Sequence, residues 1–150
     1  MPDSVEIRQA TQNDLAELAG LFDAYRVFYS QKADLEAARI FVQERLRTGT
    51  SQFFVAQAAG KLCGFIQLYP SFSSVSMKPL WILNDLFVSP MFRRKQIAEK
   101  LMLSAEVFAQ ASAARGLTLK TAKTNEAAQK LYLKLGWVQD EKFVSFNKIF

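Results

Sequence analysis

The feature that most constrains this chain is the stretch at residues 81–102, WILNDLFVSPMFRRKQIAEKLM. Leu83, Leu86, Phe87 and Val88 supply the apolar run that a strand covered on both faces requires. Ser89-Pro90 ends it, because proline has no N–H to give to a ladder. Arg93, Arg94 and Lys95 follow, and Ile97, Leu101, Ala105 and Phe108 then recur at helical spacing. A helix N-terminus presents unpaired N–H groups and the positive end of a dipole, so cations just ahead of it make an anion site. Strand, basic turn and helix together point to a phosphate-bearing small molecule.

Composition narrows the chemistry. The chain has 150 residues, half of them hydrophobic, which suits one globular domain over 1–150 with a real core. A net charge of +5 suits a polyanionic ligand such as a nucleotide cofactor and, taken alone, also nucleic acid. The cations are scattered, however, and no zinc-finger or RNA-binding aromatic motif accompanies them, so nucleic acid is not the expected partner. The absence of histidine removes His-based triads and the commonest general base. The single cysteine, Cys63, lies between Leu62 and Gly64 in a strand-like run and reads as a small core residue, and no metal site is expected. Apolar runs fall far short of a membrane span and no signal pattern opens the chain, so a cytoplasmic protein is expected.

Taken in order, Val5–Gln9 alternates as a first strand. Thr11 opens a helix with Asp14 as a partial capping box, and Leu15, Leu18, Ala19, Phe22 and Tyr25 mark its buried stripe. A second helix is predicted over 34–48, stopped by Gly49. Two strands, 52–58 and 61–69, are joined by Ala59-Gly60 as a hairpin. Pro70 and the serine-rich run 71–76 are predicted to form a loop that leads into the central strand. A long helix over about 94–115 precedes a short strand at 117–122. Thr124-Asn125 caps a last helix with the stripe Ala128, Leu131, Tyr132 and Leu135, Gly136 ends it, and 137–150 is predicted to supply one or two strands. The order implies an α/β chain of the α+β mixed kind: a central, mostly antiparallel sheet of six to seven strands with helices on both faces.

Two motifs carry a family resemblance that spans most of the chain. Arg93 to Ala98 is similar to the pattern Arg/Gln-x-x-Gly-x-Gly/Ala, with Gln96 in place of the central glycine. Thr124 to Tyr132, followed by Leu135-Gly136-Trp137, is similar to an Asn-x-x-Ala…Tyr…Gly-Phe signature. Both in this order resemble the GCN5-related N-acetyltransferases, and the resemblance implies an acyl-CoA N-acyltransferase fold and transfer of acetyl from acetyl-CoA to an amine. It implies a cofactor site at Leu86, Phe87, Val88, Arg93, Arg94, Lys95, Gln96, Ile97, Ala98, Asn125, Ala128 and Tyr132. It makes Tyr132 the proton donor to the departing thiolate, and a tyrosine of ordinary pKa about 10 is protonated at neutral pH. Spacing alone favours a packed aromatic whose hydroxyl finds a backbone partner. It also implies a homodimer as one assembly.

The run Leu83-Asn84-Asp85-Leu86-Phe87-Val88 resembles the diamine (spermidine/spermine) and yeast histone/polyamine branches. Asn84 and Asp85 are the catalytic candidates beside Tyr132, with side chains expected on opposite faces of their strand. Asn84 is an amide that cannot act as a base. Asp85 either binds a cation and takes a proton through water or holds a neighbouring group in place. The acceptor candidates are Tyr25, Tyr29, Gln67, Tyr69, Phe72 and Asp85, because aromatic walls hold alkylammonium groups, although aromatics in these places also suit a core or a dimer surface. Arg26 argues for an acidic substrate group unless an internal carboxylate pairs with it. Gln96 leaves two readings open: its side chain points outward and the backbone donors stay available, or it blocks the site and the chain is a catalytically silent binding or regulatory module.

Overall fold

The structure, a computed structural model, describes residues 4–93 and 96–150. Arg94 and Lys95, two of the three cations expected at the anion site, lie outside the described residues. The chain divides into two compact units, with the boundary between Lys120 and Thr121.

The first unit is a five-stranded sheet in the order β1-β2-β3-β4-β5, built from β1 (Val5–Gln9), β2 (Gln52–Ala58), β3 (Lys61–Ser73), β4 (Lys78–Val88) and β5 (Leu117–Leu119). The first three pairings are antiparallel and β4 pairs with β5 in parallel, as expected of strands joined through a helix. Ala59 and Gly60 both take positive φ, 52° and 75°, which is the twist a two-residue hairpin favours. The loop expected from Pro70 is instead strand, for β3 runs on to Ser73. Beyond Leu68 it has only β4 as neighbour, so the N–H that Pro70 lacks costs no ladder bond.

Helices α1 (Leu15–Phe28) and α2 (Leu35–Thr48) cover one face of the sheet. Leu18 and Phe22 of α1 and Ala38 and Val42 of α2 pack there with Phe53, Val55, Phe65 and Phe87. Asp34 caps α2 by accepting from the Ala37 N–H at 3.1 Å, and Gly49 ends it at φ 65°. Helix α3 (Ile97–Ala111) covers the other face, where the Phe108 ring lies 5.4 Å from that of Phe54, the alternate residue on β2. Gly64 is required beneath α3: a Cβ there would stand 2.9 Å from the Phe87 carbonyl oxygen and 3.4 Å from Leu101. Cys63 is buried, as its apolar flanks suggested. α3 is shorter than expected, starting after Gln96 and ending before Ser112, where Ala113 turns left-handed at φ 57°.

The second unit holds α4 (Glu126–Lys134). Asn125 caps it, its Oδ1 accepting from the Ala128 N–H at 3.2 Å, and Gly136 leaves it at φ 90°. The strands expected in 137–150 are not found, so the described residues give five strands and not six or seven. Val138, Phe143, Val144, Phe146, Ile149 and Phe150 are all exposed there. Their side chains favour a strand, but a strand also needs a neighbouring backbone to pair with.

Candidate functional site

Strand β4 has two distinct features, a buried polar side chain at Asp85 and a backbone edge that pairs with β5 only as far as Leu83. On the α1/α2 face, Asp85 lies opposite Gln67 in the β3–β4 register, and both are buried. The register shifts between Gln67 and Leu68, so Asn84 is an extra residue on β4. Such a bulge re-aims side chains. The opposite-face expectation therefore needs correcting, because Asn84, though exposed, donates its amide N–H to Asp85 Oδ1 at 3.1 Å. Gln67 Nε2 donates to Asp85 Oδ2, and Ser51 Oγ donates to Gln67 Oε1 at 2.7 Å. The Tyr25 hydroxyl adds a further hydrogen bond to Asp85.

These donors are all neutral. Burial pushes the Asp85 carboxyl above the ordinary carboxylate range, and the hydrogen bonds from Tyr25, Gln67 and Asn84 only partly oppose it. The same pocket raises Tyr25, chiefly by burial and next by the Asp85 charge, and Tyr69 shifts upward for the same two reasons. A buried carboxylate whose hydrogen-bond donors are all neutral can receive an ammonium group or a proton. Tyr29 joins this group through its ring, 5.0 Å from Tyr25 and nearly edge-on, and remains half exposed.

The structure therefore gathers Tyr25, Tyr29, Gln67, Tyr69 and Asp85. Phe72 stands apart at 79 % exposure near the end of β3. Arg26 is accounted for internally: its Nη1 donates to Asp23 and to the Lys32 carbonyl, each at 3.2 Å, so it makes no case for an acidic substrate. Ser51 was not legible as a site residue. A lone serine ahead of a strand carries no pattern, and only the fold places it against Gln67.

The backbone side lies toward β5. β4 pairs with β5 only at Trp81, Ile82 and Leu83, yet β4 continues to Val88. From Asn84 onward its outer edge has no strand beside it among the described residues, and an extended amide-bearing ligand could pair there as a strand would. Phe87 and Val88 are buried and Leu86 is partly so, which leaves their backbones, more than their side chains, to meet a ligand. Ile97 is likewise a core residue, 1 % exposed, and Ala98 is partly buried behind it.

At the turn, Arg93 Nε donates to the Val88 carbonyl at 3.0 Å, and its guanidinium lies over the rings of Phe28 and Phe87. Gln96 has φ 60° and ψ 21°, the left-handed conformation that glycine adopts without cost. Gln96 is exposed. In the second unit, Tyr132 is partly buried, with its ring 6.2 Å from that of Trp137.

Comparison with known proteins adds to this geometry. The model of the acetyltransferase (GNAT) family matches residues 18–137. The chain is 44 % identical over 142 residues to the uncharacterized N-acetyltransferase YhfO of Bacillus subtilis (strain 168), covering 95 % of each chain. A solved structure of a probable acetyltransferase superposes with a TM-score of 0.92 at 39 % identity, over 97 % of each chain. An aminoglycoside N-acetyltransferase solved with CoA superposes with a TM-score of 0.80 over 97 % of this chain and 95 % of that one; at 23 % identity it speaks to the fold alone.

Proposed function

This chain belongs to the GNAT acetyltransferase family and is an acetyl-CoA-dependent N-acetyltransferase, and on that premise we propose that its acceptor is a small alkylamine, a polyamine or a lysine-like side chain held at Asp85. The observation that carries the reading is the buried Asp85 carboxylate, ringed by Tyr25, Gln67 and Asn84 with only neutral donors. An entering ammonium group supplies the positive charge that this arrangement lacks, and Tyr25, Tyr29 and Tyr69 offer aromatic faces to its alkyl part.

The described residues fit the cofactor. The uncovered edge of β4 beyond Leu83 can pair with amide groups, and the left-handed turn at Gln96 frees the α3 N-terminus for phosphate. Acetyl-CoA supplies the activated carbonyl and a thiolate leaving group. Asp85 takes the proton that the ammonium must lose before its nitrogen can attack, directly or through water. The backbone N–H groups around Phe87 and Val88 are assigned to the carbonyl oxygen, where donors gain most as negative charge develops. One C–N bond forms, one C–S bond breaks, and Tyr132 is assigned the proton given to the thiolate. Arg93, Gln96, Ile97, Ala98, Asn125 and Ala128 are proposed to frame the cofactor, with Arg94 and Lys95 as its charge partners. Asn125 offers its amide Nδ2 for this, since its Oδ1 caps α4.

The test is steady-state kinetics across a panel of diamines, polyamines, amino acids and lysine peptides. Tyr132→Phe is expected to lower kcat about 10²-fold or more while acetyl-CoA binds as before by calorimetry. Unchanged kcat removes Tyr132 from the mechanism, and activity confined to acidic acceptors removes the alkylamine reading.

We also propose that the enzyme works as a homodimer. Phe143, Phe146 and Phe150 are exposed together with Val138, Val144 and Ile149. Three phenylalanines alone can bury roughly 450–750 Å², close to the roughly 800 Å² per partner of a standard interface. Light scattering that reports a monomer at assay concentration would remove this proposal.

A further inference from the structure

We propose that Ser51 is a positioning residue that keeps Asp85 able to accept a proton, acting through Gln67 across two strands. The inference rests on the reading of Asp85 as the acceptor-side carboxylate. Ser51, Gln67 and Asp85 are 5 %, 0 % and 5 % exposed, so water does not readily replace any of their hydrogen bonds.

A carboxamide has one accepting end and one donating end. Ser51 Oγ donates to Gln67 Oε1 at 2.7 Å, which turns Nε2 toward Asp85 Oδ2. In that orientation Oδ2 must accept, as an ionised carboxylate does. The reversed carboxamide would bring Oε1 against Oδ2, and only a protonated Asp85 could then supply the hydrogen between them. The bond from Ser51 also polarises the amide and strengthens its donation to Asp85. Without the hydroxyl, Oε1 is a buried acceptor with no partner, so Gln67 is held less firmly in the orientation that serves the ionised carboxylate.

The other groups that bear on Asp85 do not duplicate this role. From α1, Tyr25 donates its hydroxyl, and Tyr29 acts on Tyr25. From β3, Tyr69 faces the Asp85 charge, with Arg45 of α2 acting on Tyr69. From β4 itself comes the amide of Asn84. Burial keeps Tyr25 and Tyr69 protonated well above neutral pH, so the lower limb of a pH–rate profile reports Asp85 and not these hydroxyls.

The experiment is the pH dependence of kcat/KM for the full chain with acetyl-CoA and its best amine acceptor. Ser51→Ala is expected to move the lower limb up by about one pH unit, the size of one hydrogen bond to a charged group. Ser51→Thr, which keeps the hydroxyl, is expected to restore it. Gln67→Leu is expected to shift the limb in the same direction, and adding Ser51→Ala to Gln67→Leu should shift it no further, because the two act in series. A Ser51→Ala limb that superposes on the native one overturns the proposal, as does an additive double variant. Should Ser51→Ala fail to fold, Ser51→Cys, whose thiol is only a weak donor, takes its place, with the same expected direction of shift and the same test of additivity against Gln67→Leu. Asp85→Asn separates the two levels of inference. If it keeps native turnover, the underlying reading of Asp85 falls; if it loses turnover while Ser51→Ala leaves the limb in place, only the role of Ser51 falls.

Discussion

Two buried aspartates, Asp14 and Asp85, are held by different partners and have opposite properties. Asp14 sits in a bidentate pair with Arg8, Nη1 to Oδ2 at 2.8 Å and Nη2 to Oδ1 at 2.9 Å, and accepts the Thr11 N–H at 2.8 Å. The Arg8 hydrogen bond is the main reason its carboxyl lies below the ordinary carboxylate range. Asp85 is as deeply buried, but its partners are an amide, an amide and a phenol, and burial raises it. The lesson concerns which carboxylate can do chemistry. Asp14 has its countercharge and ties β1 to the start of α1. Asp85 has only neutral hydrogen-bond donors, which is the opening for the ammonium group proposed above.

The sharpest way to break that comparison is to neutralise each aspartate in turn. Asp85→Asn is expected to reduce kcat/KM by about 10²–10⁴-fold, the usual weight of one acid–base group, without loss of acetyl-CoA binding. Asp14→Asn is expected to leave turnover of the folded protein unchanged and to cost about 1–3 kcal/mol of stability, read by denaturant titration. Equal losses of turnover in both variants would erase the distinction.

The pH dependence of stability should carry opposite signs at the two sites. The Asp14 pKa is lowered by folding, so its contribution is present above the unfolded value of about 4 and is lost as pH falls through the folded one. The Asp85 pKa is raised, so its contribution is complete below about 4 and is lost as pH rises through the folded value. Thermal melts from pH 3 to pH 8 should therefore show Asp14→Asn falling furthest behind the native protein at neutral pH. Asp85→Asn should recover against the native protein over the same rise.

The smallest expected effect lies at the turn before α3. Gln96 holds a left-handed conformation that costs a non-glycine residue about 1 kcal/mol. Gln96→Gly removes that strain but frees the unfolded chain, so a net gain of at most about 1 kcal/mol is expected, with acetyl-CoA affinity equal or tighter. A large gain in affinity would mean that the Gln96 side chain obstructs the site despite its exposure.

Much of this protein can be read from local order. The alternation of Val5–Gln9, the turn at Ala59-Gly60, the stop at Gly49 and the cap at Asn125 depend on residues within a few positions of one another, and each forms as expected. The two motifs around Arg93 and Tyr132 are also local, which is why they point to the family without the fold. Boundaries that depend on neighbours were less legible. β3 runs through Pro70 because only β4 flanks it there and β2 has ended, and among the described residues 137–150 has strand-like side chains without a strand to pair with.

The hydrogen-bond network at Asp85 was decided by tertiary structure. The sequence determined that a strand carrying Asn84 and Asp85 would lead into a basic turn and a helix, since apolar runs, proline and helical spacing are properties of neighbouring residues. It did not determine that a one-residue bulge would turn Asn84 onto Asp85, or that Ser51 would meet Gln67 and Gln67 meet Asp85. Those contacts join residues 16 and 18 positions apart through the register of three strands. Register is fixed by which side chains the whole sheet can bury at once, so it is a property of the assembled core and of no single segment.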